Sequence, residues 1–577
     1  MKKYLQIFGL SLAAFIHTAC MHTPDPDDRY VYSTNSIPDS WVKTNAVVTL
    51  SCDFTNQENK RSELYSFWNI HNRLDPYKHL GYPADRENAK INCIRVLGGW
   101  KTKDPSIDAY QWDGTNYVYR FDLVKERIDF VRSKGMPIHQ IVLDNVPWAF
   151  QRGIEFTEEP DGEHYLAEHQ YAQYGNAIPP NDYEAWAAFI RALMQELIDT
   201  YGKEQVEQWR FRVGTEFDTY PGHWAGTKDE LLYHYKMTTD AVREVLPTAK
   251  VGIHIREAGF VKKNTVDYKG TQIQSIGTDF VEFCKANDAH YDFVGITFYP
   301  MPNQKNRANV DTIYEKDIKP IKEHPDWNPD AIFEIHEYMM LTSTANHIFT
   351  GFGTSHGAAY FGLVAEMMYK YDIRQVFQWG NVVRGLYKPE VLTTSILETM
   401  VGKVRYGHQK SGSTAVKGNI IGAIFAAGEK GKAYDAFVYN YHMKSAYHED
   451  EKVNISMTLP HKSGTKYRFR YAYYGQEQNS FQRFVADHPE AGKSIDEGGW
   501  VKNGSNKNGE PQLILGEEGM KVYRQTASEY LKYNEVQWSD WQLGETVAGE
   551  ARKQSKIQFG AALPSFALKK FEIEIID

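Results

Sequence analysis

Cysteine is scarce: four in 577 residues leave no disulfide scaffold, and a chain of this length buries a full core without one. Cys52, Cys93 and Cys284 are odd in number and lie in apolar surroundings, which marks them as core thiols. No Cys/His spacing matches a zinc site, so no metal is expected, and the run His448 to Glu451 reads as a solvated loop. There is no excess of positive charge. With 65 Lys+Arg against 74 Asp+Glu the net charge is −9, the wrong sign for affinity by phosphate neutralisation, and nucleic acid is not expected as a partner. No Gly-rich phosphate loop follows any strand candidate, which disfavours a nucleotide cofactor and a Rossmann sheet. After the first 20 residues no apolar run is long enough to span a bilayer. Aromatics, in contrast, are plentiful: 13 Trp, 38 Tyr and 29 Phe. Rings serve as core, as interface anchors or as stacking platforms, and composition does not choose among these uses.

Lys2 and Lys3 precede an apolar run from Leu5 to Ile16 that ends in His17-Thr18-Ala19-Cys20. A charged start, a short apolar stretch and a small residue before the cleavage point predict a secretory signal over 1–19. A cysteine directly after Ala19 predicts acylation of Cys20, with 20–44 as a polar tether and a location at the periplasmic face or outer membrane of a bacterium. His17 stands where Leu is usual, so ordinary signal cleavage is the alternative.

From Phe67 to Arg405 a strand-then-helix rhythm recurs. Trp186, Phe189, Ile190, Leu193, Met194, Leu197 and Ile198 repeat at the spacing of one helical face, with Asn181 or Asp182 as cap and Gly202 as stop. Trp209, Phe211 and Val213 then alternate with Arg210 and Arg212, the period of a strand. A second helix spans Phe121 to Ser133. The strand candidates are Phe67–Ile70, Asn92–Val96, Ile138–Leu143, Trp209–Val213, Val251–Ile255, Phe293–Phe298, Ala331–Ile335 and Gln375–Trp379. Eight such units predict an α/β fold, a (β/α)8 TIM barrel over 45–405. Residues Gly153 to Asn181 form a long polar insertion after the third strand, placed to roof a pocket at the catalytic face. From 406 to 577 short alternating strands (Ile420–Ala427, Tyr434–Tyr441, Val453–Leu459, Tyr467–Tyr474, Phe571–Ile576) predict a C-terminal β-sandwich domain, which Asn45 to Ser51 could join.

In a TIM barrel, chemistry comes from the C-terminal ends of strands. The fourth strand runs into Gly214-Thr215-Glu216-Phe217-Asp218, and the seventh into Glu334-Ile335-His336-Glu337-Tyr338. Acidic residues at two strand ends meet the needs of glycosidic hydrolysis: one carboxylic acid protonates the leaving oxygen, and a second carboxylate attacks the anomeric carbon or activates water.

Beyond the two acids, several stretches are similar to glycoside hydrolase family 39, within the clan of retaining glycosidases built on TIM barrels. They are Tyr119 to Pro147, Tyr183 to Asp218, Asp292 to Pro300, Glu337 to Tyr360 and the tail Leu563 to Glu574. The resemblance implies a carbohydrate substrate, no cofactor, Glu216 as general acid/base and Glu337 as nucleophile. Glu334 competes for the second role, and its three-residue offset puts it on the opposite strand face. Tyr299 would hydrogen-bond the nucleophile, Arg95 would hold it ionised, and Trp379 would floor the sugar site, with Trp148 and, more loosely, Trp100 and Trp224 as wall.

Two positions depart from the family pattern. Thr215 stands where the family has the Asn that contacts the sugar 2-hydroxyl, and Thr297 stands where it has His. The change at 215 implies a substrate whose 2-position is handled differently, an anhydro, sulfated, furanose or L-configured sugar, or contact from another residue. The two changes together also keep open a catalytically inactive glycan-binding lipoprotein. A barrel lyase acting on acidic polysaccharide is a third reading.

Overall fold

The computed structural model describes residues 31–32, 47–72, 92–100, 105–133, 135–151, 174–219, 222–256, 276–300, 309–340, 355–379, 382–383, 386–387, 389–443, 450–494, 513–515, 517–551 and 553–576. The segment expected to be a signal, Cys20 and most of the polar insertion lie outside them.

The barrel strands are β1 (Trp68–Asn72), β2 (Cys93–Arg95), β3 (Gln140–Leu143), β4 (Arg210–Val213), β5 (Lys250–Ile255), β6 (Phe293–Phe298), β7 (Ile332–Tyr338) and β8 (Ile373–Trp379). All pair in parallel, and β8 pairs with β1 to close the barrel. The helix Tyr183–Tyr201 shows how local signals build it. The Asp182 carboxylate caps the free N–H groups of Glu184 and Ala185, and Gly202, at φ 84°, ends the helix. Its apolar face, Trp186 to Leu197, packs in one cluster with Ile141, Phe211 and Val251 of the strands beneath.

Alternation along β4 is inverted relative to a surface sheet. Trp209, Phe211 and Val213 face the helices, while Arg210 and Arg212 enter the barrel, where both are buried. Buried cations require partners. Arg210 forks onto Glu334, one contact being 2.6 Å, and its guanidinium lies 3.7 Å from the Phe293 ring centroid. His336 Nε2 is 2.7 Å from the same carboxylate. Burial pushes His336 down to about 3, so it is neutral and donates its N–H. Burial opposes ionisation of Glu334, but Arg210 and His336 outweigh it and hold the carboxyl at about 2.

This placement corrects the expectation that Glu334 lies on the strand face opposite Glu337. Ile296 pairs with Ile335, but the next residue, Thr297, pairs with Glu337, so a β-bulge adds one residue to β7. The extra residue flips the parity. Glu334 thus sits inside the barrel with Arg210, and Glu337 also turns inward, nearer the C-terminal rim.

The second domain is two stacked sheets. The seven-stranded sheet runs Gln542–Glu545, Lys466–Tyr474, Leu568–Ile575, Ala433–Tyr441, Ile420–Ala427, Val404–Tyr406 and Lys60–Glu63. The other centres on Ser555–Leu563 and Glu451–Leu459, with Val47–Asp53 added in parallel to the latter. Residues 47–63 therefore complete the sandwich, although they precede the barrel in the chain. Two helices, Ser480–Asp487 and Glu517–Tyr530, interrupt a region read from sequence as strands alone. Glu451, read as part of a solvated loop, is buried and accepts from the N–H groups of Ala415 and Val416 and from the Asn419 amide. The barrel helix Ser355–Tyr371 lies against the sandwich. Gly362 permits the approach, since a Cβ there would stand 3.0 Å from the Tyr439 ring, and the Tyr439 hydroxyl donates to Glu366.

Candidate active site

At the end of β4 the backbone leaves the strand through two left-handed residues. Gly214 has φ 75°, and a Cβ there would overlap the Phe217 ring. Glu216 has φ 46°, a conformation that costs a non-glycine residue about 1–2 kcal/mol and recurs where a side chain is re-aimed at a functional site. The turn continues with Thr219 N–H on the Glu216 carbonyl (2.7 Å) and His223 N–H on that of Thr219 (2.9 Å). It brings His223 Nε2 to 3.5 Å from Glu216 Oε2.

A single strand holds both acids. On β6 the Thr297 hydroxyl donates to Glu216 Oε1 at 2.5 Å, and just beyond the strand the Tyr299 hydroxyl donates to Glu337 Oε2. Residues two apart on a strand share a face and stand about 7 Å apart, so the two carboxylates converge on one pocket. Behind Thr297, His254 Nε2 from β5 lies 2.9 Å from its hydroxyl oxygen.

Below them Arg95 engages Asp144 through Nε (2.9 Å) and Nη2 (2.5 Å), and reaches Asn145 Oδ1 at 2.8 Å. Its guanidinium also lies 4.9 Å from the Trp100 ring centroid. Arg95, expected to hold Glu337, is therefore bonded to Asp144 and acts on the nucleophile candidate only by its charge at a distance. The Thr215 hydroxyl donates to Asp144 Oδ2 and accepts from Arg212 Nη2 at 3.0 Å. It is turned into this network, 3% exposed.

Electrostatics divides the pair. Burial pushes Glu337 up, the Glu216 charge pushes it further, and Tyr299, Arg212 and Arg95 pull against both, leaving it at about 7. For Glu216 burial also acts upward, but hydrogen bonds from His223 and Thr297, with the charges of His223 and Arg256, outweigh it and bring the carboxyl below its ordinary value. Two adjoining buried carboxyls thus share one proton near neutrality, and without substrate it rests mainly on Glu337. Burial and the two carboxylates raise the Tyr299 phenol well above its ordinary range, so it stays a donor.

Trp148, at the catalytic face after β3, is partly exposed and gives its indole N–H to the Trp100 carbonyl at 3.0 Å. Trp379 ends β8, and its side chain falls outside the described residues. Trp224 is buried, its indole N–H on the Thr227 carbonyl, and it lines a small pocket with Asp144, Asn145, Asn176 and His223. The end of the polar insertion reaches this place: Tyr174 stacks on His223, with centroids 4.4 Å apart. Asp144, Arg212, His223 and His254 escaped the sequence reading. Arg212 carried a signal, an arginine alternating with apolar residues on a barrel strand, and the others carried none. Among the described residues no group of three or more His, Cys, Asp or Glu is placed to hold a metal.

The model of glycosyl hydrolases family 39 matches residues 67–323. An alpha-1,4-L-rhamnosidase of Formosa agariphila is 30% identical over 541 residues, spanning 92% of this chain and 95% of that protein. A beta-xylosidase of Caldicellulosiruptor saccharolyticus is 29% identical over 215 residues, 37% of this chain and 38% of its own. A monomeric beta-xylosidase from Caulobacter crescentus shares the fold at a TM-score of 0.59 and 15% identity, covering 92% of this chain and all of that one. The GH39 enzyme from Xanthomonas axonopodis pv. citri does so at 0.58 and 13%, covering 94% of this chain and 100% of that one. With a relative at this identity along nearly the whole of both chains, and a barrel carrying two buried glutamates at its rim, the chain belongs to glycoside hydrolase family 39 and is a glycoside hydrolase.

Proposed function

We propose that the protein hydrolyses an α-L-rhamnosyl bond with retention of configuration, with Glu337 as nucleophile and Glu216 as acid and then base. The observation that carries the assignment is the suspension of both carboxylates from two residues two apart at the end of β6, Thr297 on the strand and Tyr299 just beyond it, with their charges coupled. Glu337 attacks the anomeric carbon while Glu216 gives its proton to the departing oxygen; water then gives a proton back to Glu216 and displaces Glu337 from the sugar. Turnover draws on the arrangement with the proton on Glu216 and the charge on Glu337, the minor one in the free pair. Positive charge developing at the anomeric carbon beside Glu337 favours it in the transition state.

The sugar reading rests on the Formosa agariphila relative and on Thr215. The Thr215 hydroxyl is engaged by Asp144 and Arg212, so the group that usually meets an equatorial 2-hydroxyl is absent here. L-Rhamnose carries that hydroxyl axially, pointing away from the position an equatorial 2-hydroxyl would take. Export and acylation of Cys20 complete the reading, and Cys20→Ser is expected to move the protein from the membrane to the soluble fraction.

Aryl α-L-rhamnosides with and without azide test the assignment. Glu216→Ala and Glu337→Ala should each lower turnover by roughly 10²–10⁴-fold. Azide should then yield the α-azide with the first variant and the β-azide with the second. An inverted product from the unaltered enzyme, or near-full activity in either variant, would refute the roles. Rhamnoside binding with no turnover would favour an inactive glycan-binding protein.

A further inference from the structure

We infer that His254 and Thr297 form a positioning pair that pins one oxygen of Glu216 and thereby reserves the other for proton transfer. The inference rests on the acid/base role of Glu216. Thr297 Oγ1 stands between Glu216 Oε1 at 2.5 Å and His254 Nε2 at 2.9 Å. A hydroxyl has one hydrogen to give. When His254 donates Nε2–H to Thr297, the threonine hydrogen is committed to Glu216, so the direction of the chain is set from β5. Oε1 is then an acceptor in both half-reactions. Oε2, which faces His223 at 3.5 Å, is left to carry the proton out to the leaving oxygen and to take one back from water.

The pair is built into the wall. His254 is fully buried and Thr297 is 8% exposed. His254 is the β5 neighbour of Gly295, where a Cβ would overlap the His336 ring. The missing side chain lets that ring pack edge-on against His254, with centroids 5.3 Å apart, which fixes the plane of the imidazole. Among the described residues, the other charged or titratable groups that act on Glu216 or its partner are His223 after β4, Arg256 just after β5, Tyr299 after β6 and Glu337 on β7. The variants below leave all of them in place.

The primary test needs no substrate. In full-length protein carrying ¹³C at the glutamate side-chain carboxyls, with Glu216 assigned by Glu216→Gln, titration should show the Glu216 carboxyl rising in Thr297→Val. It should rise similarly in His254→Leu, rise no further in the double variant, and stay in Thr297→Ser. The kinetic counterpart compares rhamnosides of poor and good leaving groups, because only poor ones depend on the proton. Because a raised Glu216 favours the productive arrangement on either substrate, the ratio of the two reads the positioning: Thr297→Val and His254→Leu should lower kcat/KM on methyl α-L-rhamnoside by about 10- to 100-fold relative to the 4-nitrophenyl compound. An unshifted Glu216 in His254→Leu, or additive effects in the double variant, would overturn the pair. Failure of azide to restore Glu216→Ala on the 4-nitrophenyl substrate would instead overturn the role of Glu216 itself.

Discussion

Replacing Tyr299 with Phe removes one hydroxyl and keeps the ring, so it isolates the bond to Glu337. A hydrogen bond to a charged group contributes about 1.5–3 kcal/mol, which corresponds to roughly one to two pH units. The bond favours ionised Glu337, so its loss raises that carboxyl from about 7 toward about 8–9. Two consequences appear together in kcat/KM. The competent arrangement, with Glu337 charged and Glu216 protonated, becomes rarer by about 10- to 100-fold, and the plateau falls by that factor. The alkaline limb, which reports loss of the last proton of the pair, moves up by about the same one to two units. The acid limb, carried by Glu216, stays. A pH profile on 4-nitrophenyl α-L-rhamnoside reads all three. A lower plateau with the alkaline limb unmoved would mean that Tyr299 only shapes the pocket, and the electrostatic account would be wrong.

His223→Gln should raise the acid limb, because His223 is what most favours charge on Glu216; an unmoved limb would show that it carries no charge there. Glu334→Gln leaves Arg210 buried without its counter-charge and should destabilise the protein by about 3–5 kcal/mol in urea unfolding, with an unchanged midpoint counting against the internal ion pair. In the unaltered protein Glu334, held at about 2, contributes about 3 kcal/mol at pH values above the ordinary ~4.5, lost as pH falls from there toward 2, which acid unfolding checks. Trp186→Ala empties a fully buried site and removes the indole N–H that the Thr238 hydroxyl accepts, for an expected loss of about 3–5 kcal/mol. Thr215→Asn should lower rhamnoside turnover, since the larger amide displaces a hydroxyl held between Asp144 and Arg212; a gain would count against the L-sugar reading.

Local signals were enough to place the eight barrel strands and the helix Tyr183–Tyr201, because caps, stops and three-four periodicity act over a few residues and the barrel repeats them. Glu216 and Glu337 could be picked out as candidates for a related reason: the ends of β4 and β7 are where this fold gathers its chemistry. Direction and partnership were not legible. Arg210 and Arg212 read as one face of a strand, yet whether that face meets water or the barrel interior depends on closure of the sheet, and closure buries them against Glu334 and the Asp144 network. The parity of Glu334 and Glu337 was hidden by a bulge that exists only in the pairing of β7 with β6. His223 and His254 lie 7 and 38 residues after Glu216 in the chain, and no spacing rule links them to it; only the closed barrel sets His254 behind Thr297 and folds His223 over the acid. Sequence thus determined which elements form and which carboxylates stand at their ends, since those depend on short-range backbone chemistry. Tertiary structure decided which neighbours share their protons, since a carboxyl's charge is set by the groups brought around it from distant parts of the chain.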